Sequence, residues 1–168
     1  MQETEFRGKC LNSPKGRWAT GSLLSRSDGT REICEGESIS KNLYRHPVCP
    51  ETVGQYSGIK GGKGVKIYDG DIVAKFCRRE KGADSERLSI HEITFEEGCF
   101  CAKTKYDYEL CSHAATLRDV ISGIQSLMRE YPECDIWIEV IGNKHDNPEL
   151  IKEIAVIPWH KRTEKNGN

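Results

Sequence analysis

At 168 residues, with 36% hydrophobic and 30% charged side chains and a mean hydropathy of −0.63, the chain fits a water-soluble globular protein with one modest core. No stretch has the length and apolarity of a spanning helix, and the opening MQETEFRGKC lacks the basic and apolar regions of a signal peptide, so we expect no membrane partner and a cytoplasmic location. The formal charge of −1 offers no general electrostatic case for nucleic acid, but it hides an asymmetry: residues 60–81 hold seven Lys/Arg against three Asp/Glu, and residues 129–153 hold three against seven.

Glu5–Cys10 and Arg17–Leu24 read as short strands around the turn residues Asn12-Ser13-Pro14-Lys15-Gly16, which makes a hairpin. Ser27-Asp28-Gly29 marks a second tight reversal before Thr30–Cys34. Glu35–Pro50 lacks firm periodicity and reads as a loop with room for one short strand. Gln55–Lys60 and Val65–Phe76 read as extended, with the bend at Gly61, Gly62 and Gly64. Alternation in Val65–Tyr68 puts Val65 and Ile67 on one face and Lys66 and Tyr68 on the other.

Arg79–Glu86 is a polar connection, and Ile90–Phe95 with Cys99–Lys103 flanks Glu96-Glu97-Gly98 as a further hairpin. The one long amphipathic helix falls near residues 116–130. Thr116 caps it, Asp119 lies in the first turn, and Leu117, Val120, Ile121, Ile124, Leu127 and Met128 recur at helical spacing until Tyr131-Pro132 ends it. Cys134–Ile141 is apolar on both faces, which predicts a central strand, and Asn147-Pro148 starts a short helix.

The ordered segments FRGKC, GRWATGSL, VGQYSGIK, GVKIYDGDIV and EVIGNKHDNPEL, from Phe6 to Leu150, resemble the YopX family of bacteriophage and prophage proteins. The resemblance implies a mainly β (α+β) fold built on a small SH3-like β-barrel with hairpin extensions. It implies a phage or prophage origin and carries no established activity. Gly58, Gly64, Gly70, Asp71, Gly142, Asn143, Asn147 and Pro148 match the family's recurring pattern, and turn geometry, strand entry and helix initiation account for most of them. We expect one domain over residues 1–160, with residues 78–134, which hold no family landmark, as a variable elaboration and 161–168 as a flexible tail.

Two sets of side chains carry chemical interest. Cys99, Cys101, Cys111 and His113 form two i, i+2 pairs and a Cys₃His donor set suited to zinc, although their first gap is shorter than structural zinc sites use. The other reading is that the eight cysteines are separate reduced thiols. Lys60, Lys63, Lys66, Lys75, Arg78 and Arg79, beside Tyr56, Tyr68 and Phe76, compose a basic and aromatic stripe for nucleic acid. The bland alternative is a solvated outer face.

Asp69 and Asp71 lack the further acidic ligands of a metal-dependent nuclease. The glycine-rich Gly58–Gly64 segment precedes a strand where a phosphate loop needs a helix. His91, His113, His145 and His160 sit in no hydrolase or metalloprotease frame. The sequence therefore favours a non-enzymatic module that binds a host or phage protein, with a nucleic-acid-binding module second and an enzyme third. The apolar helix stripe adds a homo-oligomer contact as an expectation.

Overall fold

The computed structural model describes residues 4–13, 16–36, 44–79, 83–103 and 116–152. They form two antiparallel sheets and few helices, within two compact units: Met1–Lys60 with Lys66–Gly70, and Gly61–Val65 with Asp71–Asn168.

In the first unit β1 (Phe6–Lys9) and β2 (Trp18–Ser25) form the expected hairpin, with Phe6 opposite Gly21 and Lys9 opposite Trp18. Alternation turns Gly8 and Ala19 inward, and Arg7, Lys9 and Trp18 lie together on the other face, where the guanidinium of Arg7 sits 4.7 Å from the Trp18 ring centre. Asp28 sets the next reversal by accepting from the Thr30 amide at 2.9 Å and the Thr30 hydroxyl at 2.7 Å, which holds its carboxyl below the ordinary range. β3 (Arg31–Glu35), β4 (Tyr44–Val48), β5 (Gly54–Lys60) and β6 (Lys66–Tyr68) complete a six-stranded sheet in the order β4-β3-β2-β1-β5-β6.

The far end of β4 returns to β1. Cys10 bridges Val48, the Cys49 amide donates to the Lys9 carbonyl at 2.8 Å, and the Leu11 amide donates to the Pro47 carbonyl at 2.9 Å. Glycine is required at position 8 because a Cβ there would stand 2.9 Å from the Cβ of Val48. Ala19, Ile33 and Val48 form the core of this unit, with Phe6, Cys10, Leu23 and Val53 packed around them. Among the described residues this contact is a bridge and not a continuous ladder, so the sheet is open.

Val65–Phe76 is not one extended segment. Asp69-Gly70 interrupts it, with Gly70 at φ 83°, and the pieces on either side enter different sheets. Val65 is exposed and lies outside the strand, so its pairing with Ile67 on one buried face does not hold; a 3-10 turn at Gly62–Gly64 precedes it.

In the second unit β7 (Asp71–Arg78), β8 (Glu86–Glu96), β9 (Cys99–Lys103) and β10 (Asp135–Asn143) form a sheet in the order β10-β7-β8-β9. The β8–β9 hairpin turns at Glu97-Gly98, both at positive φ, as such a two-residue reversal demands. α1 (Leu117–Glu130) begins with a full capping box: Thr116 Oγ1 accepts from the Asp119 amide, and the Thr116 amide donates to Asp119 Oδ2. It packs against β9 and β10 with Leu117 and Ile124 buried, while Met128 remains exposed.

β10 lies at the edge of its sheet, not at the centre that its sequence predicts. Its two-sided apolar pattern reports cover above and below: Ile136 and Ile138 are buried on one face, and on the other Trp137 stacks on Phe76 with ring centres 5.6 Å apart and Ile141 packs beside Leu150 of α2 (Pro148–Lys152). The expected tail at 161–168 lies outside the described residues.

Candidate binding surfaces

The basic stripe is divided between the two units. Lys60 and Lys66 are cross-strand partners in the first, whereas Lys63, Lys75, Arg78 and Arg79 belong to the second. Three of the cations carry internal counter-charges. Lys66 Nζ is 2.8 Å from Glu5, Lys63 Nζ is 2.6 Å from Glu139, and Arg78 is 2.5 Å from Asp135. The contact with Lys63 holds the Glu139 carboxyl below its ordinary range. Lys60 and Arg79 are exposed and Lys75 is half-buried.

The aromatic members of the stripe are occupied as well. Tyr56 and Tyr68 are buried, with ring centres 5.6 Å apart, and Lys66 and Arg7 lie against their rings. The Tyr68 hydroxyl donates to Glu5; burial first, and then this bond, push the phenol far above its ordinary value. Phe76 is half-buried against Trp137. These rings pack within the protein and are not offered to bases.

Of the zinc set, Cys99 and Cys101 share one face of β9 with their sulfurs 3.7 Å apart; Cys111 and His113 lie outside the described residues. Burial, followed by hydrogen bonding to Cys99, pushes the Cys101 thiol up to about 11. Among the described residues no group of three or more His, Cys, Asp or Glu side chains is placed to hold a metal ion. His91 Nε2 meets Ser89 Oγ at 2.8 Å, and both residues are buried in the sheet.

Several cavities bring together residues that sequence order keeps apart, among them one of about 460 Å³ that joins Lys63 and Arg78 to Met128 and Trp137 in the second unit. In the first unit a cavity of about 260 Å³ is lined by Cys10, Asn12, Ser13, Arg17, His46 and Pro47. Beside it Glu35 holds both Arg17 at 3.2 Å and His46 at 3.1 Å. In the second unit an apolar recess of about 350 Å³ lies at the C-terminal end of α1. Leu88, Leu127, Tyr131 and Ile136 form its walls, Arg79, Glu86 and Glu133 add charge to its lining, and Cys77 and Cys134 also line it. Of the recess residues, Arg79 carried interest from the basic stripe and Leu127 from the apolar helix stripe. The available signal for the rest was the unmatched aromatic Tyr131 at the helix end, which is 46% exposed.

The landmark residues occupy the conformations their identities suggest. Gly58, Gly64 and Gly70 have φ of 79°, 74° and 83°. Gly142 acts through space instead, since a Cβ there would be 2.7 Å from both Asn147 Oδ1 and Leu150 Cδ1. The YopX protein family matches this chain over residues 17–152. The chain belongs to the YopX family. The YopX match spans residues 78–134, where no landmark was visible, and excludes the FRGKC segment. A crystal structure of protein EF1440 from Enterococcus faecalis is similar at 22% identity, covering 90% of this chain and 99% of that chain with a TM-score of 0.46. No curated protein matches significantly. No helix among the described residues is long and apolar enough to cross a membrane.

Proposed function

We propose that this YopX protein is a phage or prophage accessory protein that acts as a non-enzymatic binding module for a host or phage protein, and that the recess beside Tyr131 takes an apolar anchor side chain of that partner. The observation that carries this reading is the pairing of apolar walls with an exposed tyrosine and a charged lining. Protein interfaces are centred on buried apolar pockets and enriched in tyrosine, with polar groups around them. The ion pairs along Lys63, Lys66 and Arg78 weigh against the nucleic-acid alternative, because the cations already have partners.

The test is affinity purification from the native host with nuclease treatment, comparing wild type with Tyr131→Ala. A protein partner that survives nuclease and is recovered about tenfold less with the variant supports the reading. Recovery of nucleic acid, released steeply by salt and reduced by Lys60→Ala and Arg79→Ala, overturns it in favour of the basic stripe.

The first unit supports a barrel of the SH3-like type through the return of β4 onto Cys10 and the glycine-enabled contact of Gly8 with Val48. A zinc site at Cys99, Cys101, Cys111 and His113 draws support from the 3.7 Å sulfur separation, since two thiolates about 2.3 Å from one tetrahedral zinc stand about that far apart. Stoichiometric zinc that is lost in Cys99→Ser supports the site; metal-free protein with unchanged melting on chelation removes it.

A further inference from the structure

Cys77 and Cys134 are 57 positions apart in sequence and neither belongs to the sets singled out by motif. The β7–β10 ladder brings them together. Cys77 is opposite Ile136 and Arg78 is opposite Asp135, so Cys134 follows at the end of the ladder as the diagonal neighbour of Cys77 on the same face. The Cys134 amide donates to the Tyr131 carbonyl at 3.0 Å, which fixes the turn between α1 and β10 and with it the position of Cys134. Both cysteines are half-buried, and both line the 350 Å³ recess, so a small reagent entering the cavity meets two sulfurs at one wall.

We propose that Cys77 and Cys134 are a thiol-modification site, a dithiol that a low-molecular-weight disulfide converts reversibly into an intramolecular disulfide. The Cys134 thiolate attacks one sulfur of the small disulfide and expels its other half as a thiolate. The Cys77 thiolate then attacks the Cys134 sulfur of the mixed disulfide and expels the second half. Two protons leave the protein, two electrons pass to the reagent, and the reagent departs as two thiols. Burial first, and then the charge and hydrogen bonding of the Cys134 thiol, push the Cys77 thiol above its ordinary value. A thiol held in its protonated form is the poorer first nucleophile, so Cys77 takes the resolving role. The chemistry needs only this chain and the small disulfide, and does not rest on a partner binding in the recess.

Cys99 and Cys101 supply an internal comparison. Their sulfurs also approach, but they are two residues apart on one extended strand, a geometry that strains a disulfide.

The experiment treats the full native chain with oxidised glutathione, blocks remaining thiols with an alkylating agent, and maps the peptides without reduction. The expected result is a Cys77–Cys134 linked peptide, a mass loss of two hydrogens, and full reversal by dithiothreitol. In Cys77→Ser the glutathione adduct on Cys134 should persist instead of resolving. Stable glutathione adducts on wild-type Cys134 with no linked peptide, or linkage shared equally with other cysteines, overturn the assignment. The wild-type map decides the matter even if the variant fails to fold.

Discussion

Asp71 and Asn143 stand directly opposite each other at one end of the β7–β10 ladder, both buried, with Asn143 Nδ2 donating to Asp71 Oδ1 at 3.5 Å. Asn143 extends the arrangement by accepting the His145 amide at 2.9 Å and donating its own amide to Asn147 Oδ1 at 3.4 Å. One asparagine therefore ties strand entry, turn and the start of α2 together. Asn143→Ala removes the side-chain bonds to Asp71 and to the His145 amide and should cost about 1–3 kcal/mol, read from urea unfolding. An unchanged midpoint would show that the buried carboxylate is satisfied without it.

The alkaline limb of stability should depend on Tyr68. Its folded-state value is raised, by burial first and then by the bond to Glu5, so the fold favours the protonated phenol. That contribution is whole below the unfolded value of 10.0 and is lost as pH rises towards the folded value. Unfolding midpoints measured upward from neutral pH should fall beyond about pH 10, with a shallower fall in Tyr68→Phe. Parallel curves for the two proteins would refute the assignment.

The helix cap gives a local prediction. Thr116→Ala deletes one half of the capping box and should destabilise the protein by about 1 kcal/mol. Thr116→Ser should retain most of the stability, which separates loss of the hydroxyl from loss of packing, and thermal melts of the two variants provide the comparison.

Gly8→Ala tests the approach of β4 to β1. The added methyl would meet the Val48 Cβ at 2.9 Å, a branch point that cannot swing aside, so the strands must separate. The expected cost is about 1–3 kcal/mol. Restoration by the double variant Gly8→Ala with Val48→Ala would place the conflict at that contact, whereas a double variant as unstable as the sum of its parts would place it elsewhere.

The local text of the chain was legible to a considerable depth. Asp28-Gly29, Glu97-Gly98 and the Thr116 cap each encode their conformation within a few residues, and the corresponding reversals and helix start are present. Two statements about neighbours were not legible. The two-sided apolar pattern of β10 fits a central strand and an edge strand covered on both faces equally well, because alternation records burial above and below and not hydrogen bonding to the sides. The break at Asp69-Gly70 lay inside a segment read as continuously extended, although Gly70 itself carried a turn or strand-entry signal. The recess escaped for a third reason: its walls come from β7, β8, β10 and the end of α1, a convergence that no spacing rule contains.

The order of strands also sets a timetable for synthesis. β7, β8 and β9 are joined by nearby connections, but the other flank of β7 pairs with β10, which leaves the ribosome only after α1. Until then Ile72, Val73 and Ala74 lie on a strand with one backbone edge open, the arrangement that templates pairing between nascent chains. A chain released before Asp135 would keep β7 as the edge of its sheet, whereas adding β10 moves that edge to a strand covered on both faces.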